Sequence, residues 1–341
     1  MRHARGGDHR RVSLRLVSER PHRRPCASAR LGCGLRGTGV QRQAHRLLAA
    51  SPPPPERNTI EIERDAALVG HPHAKAPIDI ACWDLFGKAT AMPVCDLLGG
   101  RTVDPLPLVS SVYAGEPEDM RARVARYREL GYLGHSVKVG DDPALDAARI
   151  EAALADRRPG EFYIVDANGG MTLEQALRML RLLPRGLDFV LEAPCRTWRE
   201  TVALRRRTDI PIHLDELVSD ASSVVELIAD DAADGIGLKI STAGGLTQSR
   251  RQRDLCVAAG LTLSVQDTVG SDIALAAVVH LGQTVPRRNL RCVLECRSMV
   301  TPTIVHDPIP IHGGFAAAPE APGLGITPDL EALGAPVATY S

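Results

Sequence analysis

From residue 100 onward, short runs of apolar and β-branched residues alternate with longer stretches whose apolar positions recur every three or four residues. The short runs predict buried strands and the longer periodic stretches predict helices with one face on a core. Strands are predicted over 109–113, 135–139, 162–166, 189–192, 210–215, 235–240, 261–266 and 291–295. Helices are predicted between them, over 117–130, 143–154, 173–183, 199–207, 221–230, 246–259 and 273–281. Strands alternating with helices of this length imply βαβ units and a parallel sheet. Eight of them at a pitch of about 25 residues imply a closed (β/α)8-type barrel. An open doubly wound sheet is the alternative, and the absence of a GxGxxG after any strand weighs against it. Residues 60–100 read as helical, with Ile78, Cys82, Leu85 and Phe86 on one face, and end at Gly99-Gly100.

Composition sets the N-terminus apart. The chain has 341 residues, 44% hydrophobic and 24% charged, with 41 basic and 41 acidic side chains. It can bury a core, and its zero net charge argues against a polyanion such as nucleic acid as partner of the whole chain. No run of 18 apolar residues is present, so no membrane span is expected. The eight cysteines form no CxxC pair, which disfavours zinc and a secreted disulfide framework and points to a cytoplasmic protein. Residues 1–55, however, hold twelve Arg and only Asp8 and Glu19 as acids, lack Phe, Trp, Tyr and Ile, and end in four prolines. A targeting presequence, a nucleic-acid-binding tail and out-of-frame translation of a GC-rich gene compete to explain this segment. Pro21 and Pro25 break the amphipathic helix of a presequence, and a nucleic-acid tail would interleave aromatics. The frame error is the preferred reading, and the segment is expected to pack poorly.

Arg outnumbers Lys 37 to 4, the four being Lys75, Lys88, Lys138 and Lys239. Arg keeps its proton in proteins, whereas a desolvated Lys can release it, so a Lys retained in such a chain is a candidate for proton transfer. Chance is a sufficient explanation for Lys75 and Lys88.

Active sites of barrels lie at the C-terminal ends of the strands. Those ends carry Lys138, Asp166, Glu192, Asp215, Lys239 and Gln266-Asp267, spaced 28, 26, 23, 24 and 27 residues apart, which places them at one level. Three adjacent strands then direct Asp166, Glu192 and Asp215 to one point. Three like charges at a few ångström repel, and a hard divalent cation relieves them: Mg²⁺, or Mn²⁺ in its place. The bland alternative is that each acid caps the following helix or pairs with an arginine. Strands two and six are opposite in an eight-stranded barrel, so Lys138 and Lys239 flank this point. Burial and neighbouring cations are expected to lower their pKa toward that of a general base. A metal-held carboxylate substrate that loses its α-proton to lysine follows, the chemistry of Lys-and-Mg²⁺ sites.

The residues also carry a resemblance. The stretch Ala76-Pro-Ile-Asp-Ile-Ala-Cys-Trp-Asp-Leu-Phe-Gly-Lys88, with Pro93 to Gly100, resembles the helix joining cap and barrel in the mandelate racemase/muconate lactonizing branch of the enolase superfamily. Val165-Asp-Ala-Asn-Gly-Gly170, Leu191-Glu-Ala-Pro194, Leu214-Asp-Glu216 and Gly237-Leu-Lys-Ile-Ser241 match in order and spacing, over about residues 60–341. The resemblance implies a modified (β/α)7β barrel with an α+β cap. It makes 56–104 the cap remnant and linking helix, 105–312 the barrel, and 313–341 a segment returning to the cap. It assigns Asp166, Glu192 and Asp215 to the metal and Lys138 and Lys239 to the acid/base pair of the muconate lactonizing type. The His–Asp pair of the racemase type is not seen. By the resemblance Asn168 and Glu216 are neighbours of the metal or substrate, Glu216 as an orienter of Lys239, with ordinary helix capping as the alternative. Ser136, Gln266 and Asp267 are further candidates, and Glu295, at the end of strand eight, either faces the pocket or pairs with Arg297. Where the family often has Lys-x-Lys on strand two, this chain has Ser136-Val-Lys138, and residues 1–55 show no match to the cap's strands. Gly134 to Gly140 and Val265-Gln-Asp-Thr268 are similar to members acting on proline derivatives, the cis-3-hydroxy-L-proline dehydratases above all. A dehydratase is therefore expected, with a racemase or epimerase of a proline betaine or amino-acid derivative, or a cycloisomerase, as alternatives. An inactive remnant without a working cap is the non-enzymatic alternative. A small carboxylate substrate and a homo-oligomer are expected.

Three features read as structural. His213 is a packed strand residue, Cys292 and Cys296 are buried small apolar groups, and His71 and His73 belong to a loop before the linking helix.

Overall fold

The computed structural model describes residues 70–268, 270–300 and 303–336. The Arg/Pro-rich segment 1–55 and the start of the expected cap remnant lie outside them. Helix α1 (Pro72–Thr90) and the single turn α2 (Val94–Leu97) come first. Eight strands follow: β1 (Leu106–Val112), β2 (Gly134–Lys138), β3 (Phe162–Asp166), β4 (Val190–Glu192), β5 (Ile212–Leu214), β6 (Gly235–Lys239), β7 (Thr262–Gln266) and β8 (Leu290–Leu294). They alternate with α3 (Pro117–Glu129), α4 (Pro143–Leu154), α5 (Leu173–Leu182), α6 (Trp198–Arg205), α7 (Ala221–Asp230), α8 (Ile240–Ala243) with α9 (Leu246–Ala259), and α10 (Asp272–Gly282). Each strand pairs in parallel with the next, and β8 pairs in parallel with β1, which closes the barrel. After β8 come a 3₁₀ turn at Arg297–Met299, the antiparallel β9 (Phe315–Ala316) on β1, and α11 (Leu330–Leu333).

The strands fall within a residue or two of their predicted places, except that β1 starts at Leu106, three residues before its predicted start at 109. β5 begins at Ile212 rather than 210, because Pro211 has no N–H for the ladder. Its carbonyl still accepts from the Leu191 N–H at 2.9 Å.

Much of the apolar core lies between the barrel wall and the surrounding helices. Val137, Val165, Leu191, Leu214, Leu238, Val265 and Val293 are at most 1% exposed and alternate with the inward residues. They share one cluster with Met120, Ile150, Met179, Leu204, Leu227 and Leu275 from the surrounding helices. Truncating one such Leu to Ala costs about 2–5 kcal/mol. The inner face is thereby free to be polar at its C-terminal end.

Helix α1 departs from its predicted face. Leu85 and Phe86 are 42% and 52% exposed, while Ala74, Ala76, Ile78, Asp79, Ile80 and Gly87 are buried. Asp79 is the reason: its carboxylate accepts from the Thr247 N–H at 3.0 Å and the Thr247 hydroxyl at 2.6 Å. Thr247 in turn accepts from Trp83 Nε1 at 2.9 Å. The N-cap of α9 is Gly245, which has no side chain to offer, so the linking helix supplies the carboxylate its first turn needs.

Candidate active site

Lys138, Asp166 and Glu192 are direct ladder partners on β2, β3 and β4. The partner of Glu192 on β5 is His213, not Asp215, and the partner of His213 on β6 is Gly235, not Lys239. The site residues therefore climb by two positions at β5 and four at β6, instead of sharing one ladder level as their spacing implied. Barrel strands tilt, so points at one height along the axis move up the strands around the ring. Each step is even, so every side chain stays on the inner face. Lys239 and Gln266 are again direct partners.

Asp166, Glu192 and Asp215 are 3%, 2% and 4% exposed. None serves as the N-cap of the following helix. Asp142, Thr172, Thr197 and Asp220 cap α4, α5, α6 and α7 through their own side chains. The capping alternative for the three acids is thereby removed. Burial, with Asp166 and Asp215 as like charges, pushes Glu192 up to about 8. Burial raises Asp215 to about 7 against the pull of Lys239.

Each lysine meets an aspartate: Lys138 Nζ donates to Asp166 Oδ2 and Lys239 Nζ to Asp215 Oδ2. Burial disfavours both ammonium groups, but the aspartates outweigh it and hold both above their ordinary range. In the metal-free chain a carboxylate in contact thus outweighs burial and the other lysine. Among the described residues no three acidic, histidine or cysteine side chains stand as a ready-made metal-binding group. Asp166 and Asp215 are turned to the lysines instead.

Around this centre, Asn168 accepts from Lys138 and donates to Glu216, both at 3.0 Å, and Glu216 lies 3.8 Å from Lys239. Gln266 Nε2 donates to Glu192 Oε1 at 2.8 Å across the barrel. Ser136 is buried two residues below Lys138 on the same face. Asp267 accepts from the Thr268 N–H at 2.7 Å and from Ser241, and burial raises its pKa. Glu295 turns away to the 3₁₀ turn, accepting from the Ser298 N–H at 3.1 Å and lying 4.0 Å from Arg297. His213 accepts or donates at Nε2 with Thr262 at 2.7 Å, and burial lowers it to about 3, as befits a packed strand residue. Cys292 and Cys296 are buried and free. His73 lies in the first turn of α1, not in a loop.

Sequence reasoning missed Gly237. A Cβ there would stand 2.5 Å from Glu192 Oε1 and 3.0 Å from Gln266 Nε2. A glycine inside a strand marks a close approach, which was the available signal. Gly237→Ala is expected to break the Glu192–Gln266 bond and lower kcat about 10–100-fold, the usual cost of disturbing a group that orients a site. Steady-state kinetics beside a melting curve checks this.

The closed parallel barrel agrees with what comparison finds. A family model described as "Enolase C-terminal domain-like" matches residues 119–333, and the "Mandelate racemase / muconate lactonizing enzyme, N-terminal domain" matches 37–99. The chain belongs to the mandelate racemase/muconate lactonizing branch of the enolase superfamily. The N-terminal match begins inside the Arg/Pro-rich segment. Cis-3-hydroxy-L-proline dehydratase of Roseibium aggregatum is 41% identical over 306 residues, 89% of this chain and 82% of that protein. N-succinyl-L-Arg/Lys racemase of Bacillus cereus is 30% identical over 66% of this chain and 63% of its own. A solved mandelate racemase/muconate lactonizing enzyme structure from Aspergillus oryzae is 58% identical, with a TM-score of 0.85 over 89% of this chain and 84% of that one. One from Roseovarius nubinhibens, complexed with magnesium, is 48% identical with the same TM-score over 89% and 86%. The relatives of this branch are lyases and isomerases. No helix among the described residues is long and apolar enough to cross a membrane.

Proposed function

We propose that the chain dehydrates cis-3-hydroxy-L-proline, or a closely similar imino acid, by removing the α-proton. The observation that carries this reading is the placement of Lys138 and Lys239 on β2 and β6, four strands apart either way around the ring, with three buried carboxylates between them. The 41% identity to a dehydratase of that substrate supports the reaction class.

The donor set suits a hard divalent cation. It is all oxygen, it is buried, and burial together with the neighbouring carboxylates pushes two of its three members toward neutrality. Asp166, Glu192 and Asp215 would hold Mg²⁺, which supplies charge for the substrate carboxylate as electron density grows there. Lys138 and Lys239 become effective bases once Asp166 and Asp215 are engaged elsewhere, because burial then acts on the ammonium groups with less opposition. One lysine takes the Cα proton. A lysine ammonium then gives a proton to the departing 3-hydroxyl, the C–O bond breaks to release water, and the resulting enamine tautomerises to the cyclic imine. The same pair would serve an epimerase, in which the opposite lysine returns a proton to the other face, and the racemase relative favours that as the second reading.

Incubation of the protein with cis-3-hydroxy-L-proline and Mg²⁺ in D₂O separates the two. A dehydratase releases water and a cyclic imine; an epimerase returns substrate one mass unit heavier. Recovery of undeuterated, unconverted substrate rejects both.

A further inference from the structure

Asn168 has φ 45°, in the left-handed region where glycine, asparagine and aspartate are most at home. Its N–H donates to Asp166 Oδ1 at 2.8 Å, which anchors the residue beside Lys138. From there the amide reaches in two directions. Oδ1 accepts from Lys138 Nζ at 3.0 Å, and Nδ2 donates to Glu216 Oε1 at 3.0 Å. That same Glu216 oxygen is 3.8 Å from Lys239 Nζ.

We propose that Asn168 is a positioning residue that ties the two opposed lysines into one frame. The proposal rests on the reading of Lys138 and Lys239 as an acid–base pair. Lys only donates and a carboxylate only accepts, so a bridge between Lys138 and Glu216 must accept at one end and donate at the other. An amide does both and carries no charge of its own. Aspartate would tolerate the backbone but set a second negative charge against Glu216. Glycine would suit the backbone and provide no bridge. Of the residues that favour this conformation, only asparagine makes the link.

Asn168→Gly separates the backbone from the bridge. The variant is expected to keep or raise its melting temperature, because glycine relieves the positive φ. Its kcat falls about 10–100-fold, with KM changing less. Asn168→Asp loses at least as much. A second measurement needs no turnover. The chain has only four lysines, so brief amine acylation read by peptide mass spectrometry reports each one. In Asn168→Gly, labelling of Lys138 and Lys239 rises several-fold relative to Lys75 and Lys88. Unchanged labelling overturns the proposal, whether or not kcat falls, because a loss of rate alone would place Asn168 on the substrate. A lowered melting temperature in the glycine variant also overturns it, by assigning the residue to structure. Raised labelling in a protein whose wild type turns over no imino acid supports the frame and rejects the dehydratase reading instead.

Discussion

Lys138→Arg and Lys239→Arg are each expected to fold normally and to lose about 10²–10⁴-fold in kcat, the range of general acid–base catalysis. Arginine keeps the positive charge and can keep the ion pairs with Asp166 and Asp215. It cannot release its proton, since its pKa exceeds 12. An electrostatic role would therefore survive the exchange and a proton-transfer role would not. Melting curves and Mg²⁺ titrations establish that each variant is folded and loaded before rates are compared. Proton–deuterium exchange at Cα then identifies the base: the variant that still exchanges retains it. Near-normal turnover in both variants would end the two-lysine mechanism.

The barrel was legible because its signals are local and repeated. Val137, Val165 and Leu191 sit in short apolar runs that recur at a steady pitch, and capping residues such as Asp142 and Thr172 punctuate them. The inward polar residues were legible for the same reason, as polar positions ending apolar strands. Contacts between distant segments were not legible. Asp79 reads as one more polar position on a helix until Thr247 is seen beside it, 168 residues away in sequence. Gly237 reads as a small residue in a strand until Glu192 and Gln266 occupy the space its side chain would need. The lysine–aspartate contacts were not legible either, because spacing gives the level of a residue, not which carboxylate it touches. Tilt was the remaining gap: residue counts between strands implied one ladder level, whereas the ladders place Asp215 and Lys239 progressively higher.

Glu192→Gln is expected to stabilise the metal-free protein and to disable it. Burial and the charges of Asp166 and Asp215 raise the Glu192 carboxyl from its ordinary 4.5 to about 8. Between those values the folded chain holds a proton that the unfolded chain has lost. Stability therefore falls as pH rises through that window, and the whole penalty is present above pH 8. Glutamine has nearly the same shape, carries no charge, and can still accept the bond from Gln266. Without Mg²⁺, the variant should melt above wild type at pH 8, and the difference should vanish near pH 4.5, where both side chains are largely neutral. Adding Mg²⁺ should invert the order. Wild type gains about 2.7 kcal/mol at a hundredfold excess over its Kd, as for any ligand that binds only the folded state, and the variant gains little. Turnover should fall together with metal affinity. A variant that gains as much from Mg²⁺ as wild type would place the ion away from Glu192, because a ligand's carboxylate cannot be neutralised without weakening the cation it holds.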